Sequence, residues 1–131
     1  MNVWIEGKVE ILEDEVSVIL IDGIPSFFEY EGLYYPTVLL LLHNTPASKY
    51  VTVDMGAVKH VLNGANVFAA GIVDADAEIS PGSGVYVRDE KYHKPIAVGI
   101  ALMNGADMVN SKSGAAVKTL HYYGDEITNY S

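Results

Sequence analysis

Short apolar runs alternate with turn-forming residues along the whole chain. Asp22-Gly23, Glu31-Gly32 and residues 81–84 (Pro-Gly-Ser-Gly) are the clearest breaks. Between the breaks lie six runs rich in β-branched and aromatic residues, at positions 9–12, 16–21, 26–30, 84–88, 95–103 and 115–122. Each is short enough for a strand, and Asp-Gly after residue 21 indicates a hairpin. The pattern therefore predicts a mainly β fold with short helices.

Two segments have features of helices. Residues 38–42 are apolar and follow Pro36-Thr37, so that Thr37 could cap a short buried helix. A strand is the competing interpretation there, and periodicity does not separate the two.

The second helix signal is stronger. Asp54 can cap a helix over residues 55–63, and Gly64 can adopt the left-handed conformation that ends it. At 100° per residue the apolar positions fall on one stripe and the polar positions on the opposite face. The stripe contains Ala57, Val58, Val61 and Leu62, and the polar face contains Lys59, His60 and Asn63.

Composition narrows the class of protein. The 131 residues suit one compact domain or two small ones, and 50% hydrophobic with 19% charged residues excludes a disordered chain. The absence of cysteine excludes disulfides and thiolate metal sites. The longest apolar run, 38–42, is too short to span a bilayer, and the N-terminus has no secretory signal. We therefore expect a cytoplasmic protein without a membrane partner.

Charge is unevenly distributed. The net charge is −9, with eight acids and one base in residues 1–48 (−7) and nine acids and seven bases in residues 49–131 (−2). The negative net charge excludes a protein that binds nucleic acids non-specifically through its overall charge. A local basic patch is possible only in the second part. The change coincides with the polar, proline-containing stretch 44–48, so we predict two domains, 1–48 and 49–131.

Catalytic motifs are missing. The four histidines lack helical metal spacing, and there is no HExxH, GxSxG or P-loop. Gly82-Ser83-Gly84 lacks the third glycine of a dinucleotide loop, and a strand follows it, so we expect a hairpin turn. We predict that the protein is not an enzyme, has no catalytic residues, and needs no metal or cofactor.

Residues 51–72 combine a strand, an acid-capped helix, a glycine and a second strand in close succession. They resemble the opening of PUA domains, the RNA-binding module named for pseudouridine synthases and archaeosine transglycosylases. The resemblance continues through residues 81–87, 95–99, 114–117 and 119–125. It implies a PUA-type β pseudo-barrel over 49–131.

Residues 22–29 (Asp-Gly-Ile-Pro-Ser-Phe-Phe-Glu), 35–37 and 41–43 resemble the domain before PUA in the malignant T-cell-amplified sequence family and its archaeal relatives. This implies a small α+β N-terminal domain, which we expect to lack the family's opening amphipathic helices. It also implies a translation-associated, ribosome-associated RNA-binding protein, acting in initiation or recycling on the small subunit or tRNA. An SUI1-domain protein or a ribosomal protein is the implied protein partner, and no DNA is expected.

The resemblance also implies where RNA would bind, namely on the helix and the start of the strand that follows it. The implied contacts are Lys59, His60, Asn63, Gly64, Ala65, Asn66, backbone groups of Ala69, Ala70 and Gly71, and a phosphate contact from Lys118. The helical periodicity, independently of the resemblance, places Lys59, His60 and Asn63 together on the polar face of the helix. We expect His121 to be a core histidine, and the tyrosines at 34, 35, 122 and 123 to be packing residues.

Two alternatives stay open. One is an accessory RNA-binding subunit for an RNA-modification enzyme, with the chemistry on another chain. The other is a protein-docking module whose acidic first domain, including Glu13-Asp14-Glu15, binds a basic partner.

Overall fold

The computed structural model describes residues 7–13 and 16–130, and Asp14 and Glu15 of the acidic turn lie outside them. The first part is a four-stranded antiparallel sheet in chain order. Asp22 and Gly23 both have positive φ, 51° and 79°, which confirms the predicted hairpin. The elements are β1 (Val9–Glu13), β2 (Ser17–Ile21), β3 (Ile24–Tyr30), β4 (Leu33–Pro36) and α1 (Val38–His43).

Residues 38–43 form a helix, so the helical alternative is confirmed over the strand. Thr37 is its N-cap, and the Thr37 Oγ1 accepts a hydrogen bond from the Leu40 N–H over 3.2 Å. The same hydroxyl donates to the carbonyl of Pro25 over 2.7 Å. This cap therefore both starts α1 and holds it against β3.

The second part contains six strands and two helices. In chain order they are β5 (Tyr50–Val53), α2 (Met55–Val61), β6 (Val67–Phe68), β7 (Ile72–Ala75), β8 (Gly84–Asp89), β9 (Pro95–Ala101), α3 (Gly105–Asn110) and β10 (Ala115–Tyr122), with a 3-10 turn, Ala69–Gly71, between β6 and β7.

The six strands curl into a pseudo-barrel. Their order is β6-β10-β9-β8-β5-β7, antiparallel except for the parallel pair β5 and β8. The edge strands β6 and β7 are joined by only the three residues Ala69–Gly71. A three-residue link brings the two edges of the sheet together, so the sheet must wrap round on itself. The expected mainly β fold, an α+β part followed by a PUA-type pseudo-barrel, is confirmed.

The prediction of a hairpin turn at residues 81–84 is wrong, although a turn is present. Residues 81–84 do form a turn, in which the Ser83 N–H reaches the Ser80 carbonyl over 3.0 Å. It is not a hairpin, because β5 lies between β7 and β8 in the sheet. Local residue types predict a turn but do not identify which strands pair on either side of it.

The two parts share a hydrophobic core. Strands β8 and β9 are buried on both faces: Val85, Val87 and Ala97 point into the barrel, whereas Tyr86 and Val98 point toward the first part. There they pack with buried residues of the first sheet, α1 and the C-terminal turn, namely Val18, Leu20, Phe28, Tyr35, Val38, Leu41 and Ile127.

Candidate nucleic-acid interface

Helix α2 begins at the predicted residue, Met55, but its last residue is Val61, two residues before the predicted end, and a turn through Gly64 follows. The Asp54 carboxylate accepts from the Ala57 N–H over 2.8 Å at its start. Gly64 has a φ of +88°, and the Ala65 N–H reaches back to the His60 carbonyl over 3.1 Å. This is the hydrogen-bond pattern with which a left-handed glycine ends a helix.

The two faces of α2 are also confirmed. Val61 is buried, and Ala57, Val58 and Leu62 pack against the barrel core. The exposed crest of the helix carries Lys59 and His60, and Asn63 is exposed just beyond its end.

A cleft of about 350 Å³ runs between α2 and β6. It is lined mainly by apolar atoms, from Ala57, His60, Val61, Ala65, Asn66, Val67, Phe68 and Gly71. Four of these, His60, Ala65, Asn66 and Gly71, belong to the residues predicted to contact RNA. Lys59 lies on the crest beside the cleft, and Asn63 lies just beyond the end of the helix.

Gly71 lets the helix approach the turn that follows β6. A Cβ at this position would lie 3.1 Å from the Cβ of Ala57. Two backbone groups near it are already bonded within the protein. The Gly71 carbonyl accepts from the Asp54 backbone N–H, and the Ala69 N–H donates to the Gly114 carbonyl, each over 2.9 Å. Ala69 is buried and Ala70 is exposed, so this segment shapes the cleft through its backbone path.

The loop after α2 is fixed to β10. The Asn66 side-chain oxygen accepts from the Thr119 N–H over 3.1 Å, and the Thr119 hydroxyl donates to the Ala65 carbonyl over 2.9 Å. The amide oxygen of Asn66 is thus committed to β10. Its NH₂ group is the part that Asn66 can offer to a ligand.

Phe68 is the residue of the cleft that sequence reasoning missed. Its side chain is 56% exposed, although phenylalanine is usually buried. Strand β6 has only two residues, and Val67 occupies the inward position. Because side chains alternate along a strand, the buried Val67 requires Phe68 to face outward. Alternation alone indicates that one of residues 67 and 68 faces outward, but it does not indicate which one.

Lys118 lies outside the cleft lining. Its Nζ donates to the Tyr30 hydroxyl of the first part over 2.6 Å and lies 5.1 Å from the centre of that ring. The hydrogen bond with Tyr30 raises the pKa of Lys118 above its ordinary value. Lys118 is therefore exposed and charged, but it already has a partner on the other sheet.

The predictions for the remaining aromatic residues divide. His121 is fully buried, and Tyr35 is buried. Tyr122 packs against the barrel core, as predicted. The packing role predicted for Tyr34 and Tyr123 is wrong, because both are exposed. Tyr34 stands opposite Glu29 on the edge strand β4, and Tyr123 follows the last residue of β10.

A second cavity, of about 420 Å³, lies between the two parts. Three carboxylates are among its lining residues, and these would repel phosphate, so it is a poorer place for RNA than the cleft beside α2. It is lined by Val16, Phe28, Glu29, Tyr30, Leu120, Tyr122, Asp125, Glu126 and Ile127.

Within residues 7–13 and 16–130, no three histidine or carboxylate side chains come together in a way that could hold a metal ion. No helix in that part of the chain is long and apolar enough to cross a membrane.

Residues 49–123 match the PUA domain family, and residues 1–44 match a domain of unknown function, DUF1947. An uncharacterized protein of Methanocaldococcus jannaschii is 48% identical over 95% of this chain and 78% of its own length. Translation machinery-associated protein 20 of Saccharomyces cerevisiae is 30% identical, over 96% of this chain and 74% of the relative. Malignant T-cell-amplified sequence 1-B of Xenopus laevis is 30% identical over 90% of this chain and 67% of the relative.

Solved structures agree with this relationship. The crystal structure of a hypothetical protein from Pyrococcus horikoshii has a TM-score of 0.83 and 40% identity, over 92% of this chain and 77% of the other. An archaeal box H/ACA sRNP Nop10-Cbf5 complex contains a chain with a TM-score of 0.53 and 30% identity, over 56% of this chain and 23% of the other. The chain therefore belongs to the PUA-domain family that includes translation machinery-associated protein 20 and the malignant T-cell-amplified sequence proteins.

Proposed function

We propose that this protein binds RNA without catalysing a reaction on it, and that the RNA contacts the cleft beside α2. The observation that carries the proposal is the exposed Phe68 ring at an apolar cleft whose other wall carries His60, with Lys59 on the adjoining crest. Exposed aromatic rings stack on unpaired bases, and nearby cations contact the phosphate backbone. The PUA domain supports the same assignment.

The charge of the second part limits the strength of this contact. Residues 49–131 carry nine acids and seven bases, so few phosphates can be neutralised. With about three contacts to a single strand, log affinity falls against log salt with a slope of only about −2. We expect weak binding in which base stacking contributes a large share of the affinity.

The test is binding of a single-stranded oligoribonucleotide of about 12 nucleotides to the wild type and to Phe68→Ala. Loss of one stacking contact costs about 1–3 kcal/mol, so affinity should fall by about 5- to 150-fold. Val73→Ala is the matched control, since Val73 is an exposed apolar residue on β7 outside the cleft. Equal affinity for all three proteins would remove the cleft as the RNA site.

The biological setting that we propose is translation in the cytoplasm, on the small ribosomal subunit or tRNA, in initiation or recycling. The name of the yeast relative, translation machinery-associated protein 20, supports this setting. An SUI1-domain protein or a ribosomal protein is the proposed partner of the acidic first part. Co-sedimentation of the protein with small subunits from native extract tests the setting, and recovery only in ribosome-free fractions would contradict it.

A second candidate is an accessory RNA-binding subunit for an RNA-modification enzyme. The similarity of 56% of this chain to a chain of the box H/ACA complex favours keeping it. Co-purification separates the two settings: tRNA- or rRNA-modifying enzymes recovered in place of ribosomal subunits would support this candidate.

A further inference from the structure

The hairpin that joins β8 to β9 ends in a rigid tip, residues 90–94. The buried Asp89 holds it, since one carboxylate oxygen accepts from the Tyr92 N–H over 2.5 Å and the other from the Lys94 N–H over 3.2 Å. The His93 N–H also donates to the Asp89 carbonyl over 3.1 Å. These bonds order the backbone of the tip before a ligand binds, so that binding loses less conformational entropy there.

The side chains of the tip face solvent. Residues 91–94 read Lys-Tyr-His-Lys and all are exposed, with Tyr92 at 71%. The Lys91 ammonium lies 5.2 Å from the centre of the Tyr92 ring. Two of the seven cations of residues 49–131 thus flank an exposed aromatic ring. Cations beside a stacking ring are the combination that recognises single-stranded nucleic acid.

The tip lies beside the start of α2, on the side away from the cleft. The Glu90 N–H donates to the Val53 carbonyl over 3.0 Å, and Val53 ends the strand that leads into α2. In the sheet, β5 has β8 on one side and β7 on the other. The tip extends β8, whereas Gly71 of the cleft immediately precedes β7.

The crest of α2 separates the two places. At 100° per residue His60 leans to the cleft side with Ala57 and Val61, and Lys59 leans 100° away from it. A strand leaving the cleft therefore meets Lys59 before it reaches Tyr92. The strand must cross at least one helix diameter, about 10–12 Å.

We propose that the β8–β9 tip is a second RNA-contact site, and that an unpaired strand runs from the cleft over the crest of α2 to the tip. There Tyr92 stacks on a base and Lys91 and Lys94 contact phosphates. This proposal rests on the proposed RNA-binding function and specifies its ligand as an unpaired strand several nucleotides long.

The experiment compares salt-dependent binding of the 12-nucleotide RNA by the wild type, Tyr92→Ala, and Lys91→Gln combined with Lys94→Gln. Tyr92→Ala should weaken binding about tenfold. The double variant should make the salt slope shallower by about 1.4, since each single-strand phosphate contact contributes about 0.7. Tyr34→Ala and Lys8→Gln, which change an exposed tyrosine and an exposed lysine of the first part, should bind as wild type does.

A dinucleotide RNA sharpens the test. One base can fill the cleft, and the second nucleotide is too short to cross α2 to the tip, so the wild type and both tip variants should bind it equally. Tip variants that bind the long RNA within about twofold of wild type, while Phe68→Ala binds it poorly, would overturn the tip and leave the cleft. A wild type that binds neither RNA would overturn the proposed function as well.

Discussion

The imidazole of His121 joins the last strand of the barrel to the first turn of α1. Its Nε2 accepts a hydrogen bond from the backbone N–H of Val38 over 3.0 Å, across a sequence separation of 83 residues. Its Nδ1 bonds to the Asp125 carboxylate, 2.8 Å from Oδ2, and Phe28 packs against the ring edge. Both nitrogens of the fully buried ring are therefore bonded: Nε2 links the barrel to α1 of the first part, and the bond from Nδ1 to Asp125 holds the ring in place.

Removing this ring should destabilise the protein strongly. His121→Ala leaves the Val38 N–H without its acceptor and the Asp125 carboxylate without the imidazole, and it opens a cavity in the shared core. We expect the free energy of unfolding to fall by about 3 kcal/mol, measured by denaturant titration. His60→Ala, which removes an exposed imidazole, should change it by less than about 0.5 kcal/mol. Similar losses for the two variants would contradict the structural role of His121.

Asp125 makes the stability depend on pH. Burial on its own would raise the pKa of Asp125, but hydrogen bonding from His121 and from the N–H groups of Tyr122 and Thr128 outweighs it, so the pKa lies below its ordinary value of about 3.9. The carboxylate therefore contributes stability that is complete above the ordinary pKa and disappears as pH falls through the lower, folded-state value.

Unfolding curves at a series of pH values test this sign. Between about pH 5 and pH 2 the wild type should lose more stability than Asp125→Asn, which has no carboxylate to protonate there. Other acidic groups titrate in both proteins, so the difference between the two curves isolates Asp125. Parallel curves would contradict the lowered pKa.

Gly64 should resist substitution because of its conformation and its neighbour. Its φ is +88°, and an added Cβ would lie 3.1 Å from the ring of Tyr122. Gly64→Val should cost at least 1–2 kcal/mol and clearly lower the melting temperature. Gly32→Val is the control: its φ is +82°, but its Cβ would have nothing within 4 Å, so the open turn can rearrange. An unchanged melting temperature for Gly64→Val would contradict the helix-end assignment.

The two lysines predicted to contact phosphate should differ in importance. Lys59 stands on the crest beside the cleft, whereas the Lys118 ammonium already bonds to Tyr30 over 2.6 Å. Lys59→Glu should therefore weaken RNA binding more than Lys118→Glu, and the double variant should nearly abolish it with an unchanged circular dichroism spectrum. A larger loss from Lys118→Glu would place the RNA nearer the first sheet.

Local signals explain why much of the fold is predictable from the sequence. The Asp22-Gly23 turn, the Asp54 cap and the left-handed Gly64 act within a few residues, and the structure contains all three. Whether residues 38–43 form a helix or a strand is not decided by local signals, because the start of the helix is held by distant residues. The Thr37 hydroxyl donates to the Pro25 carbonyl, and the Val38 N–H donates to His121. Such long-range partners cannot be deduced from a short apolar run.

The site divides in the same way. The crest of α2 follows from helical periodicity, and the structure exposes it. The Tyr30 partner of Lys118 lies 88 residues away and depends on how the two sheets meet. The exposure of Phe68 depends on which of two adjacent apolar residues, 67 or 68, faces the barrel, and only the pairing of β6 with β10 decides that.

The burial of Tyr86 and Val98 under the first sheet has a consequence for how this barrel can be moved between proteins. On its own, the second part would present an apolar outer face where Val18, Phe28 and Leu41 now pack. A chain that uses this barrel in a different setting must therefore either supply another cover for that face or replace its large side chains with polar ones. The polarity of the side chains on the outer faces of β8 and β9 therefore indicates whether a barrel of this type packs against a neighbouring domain there.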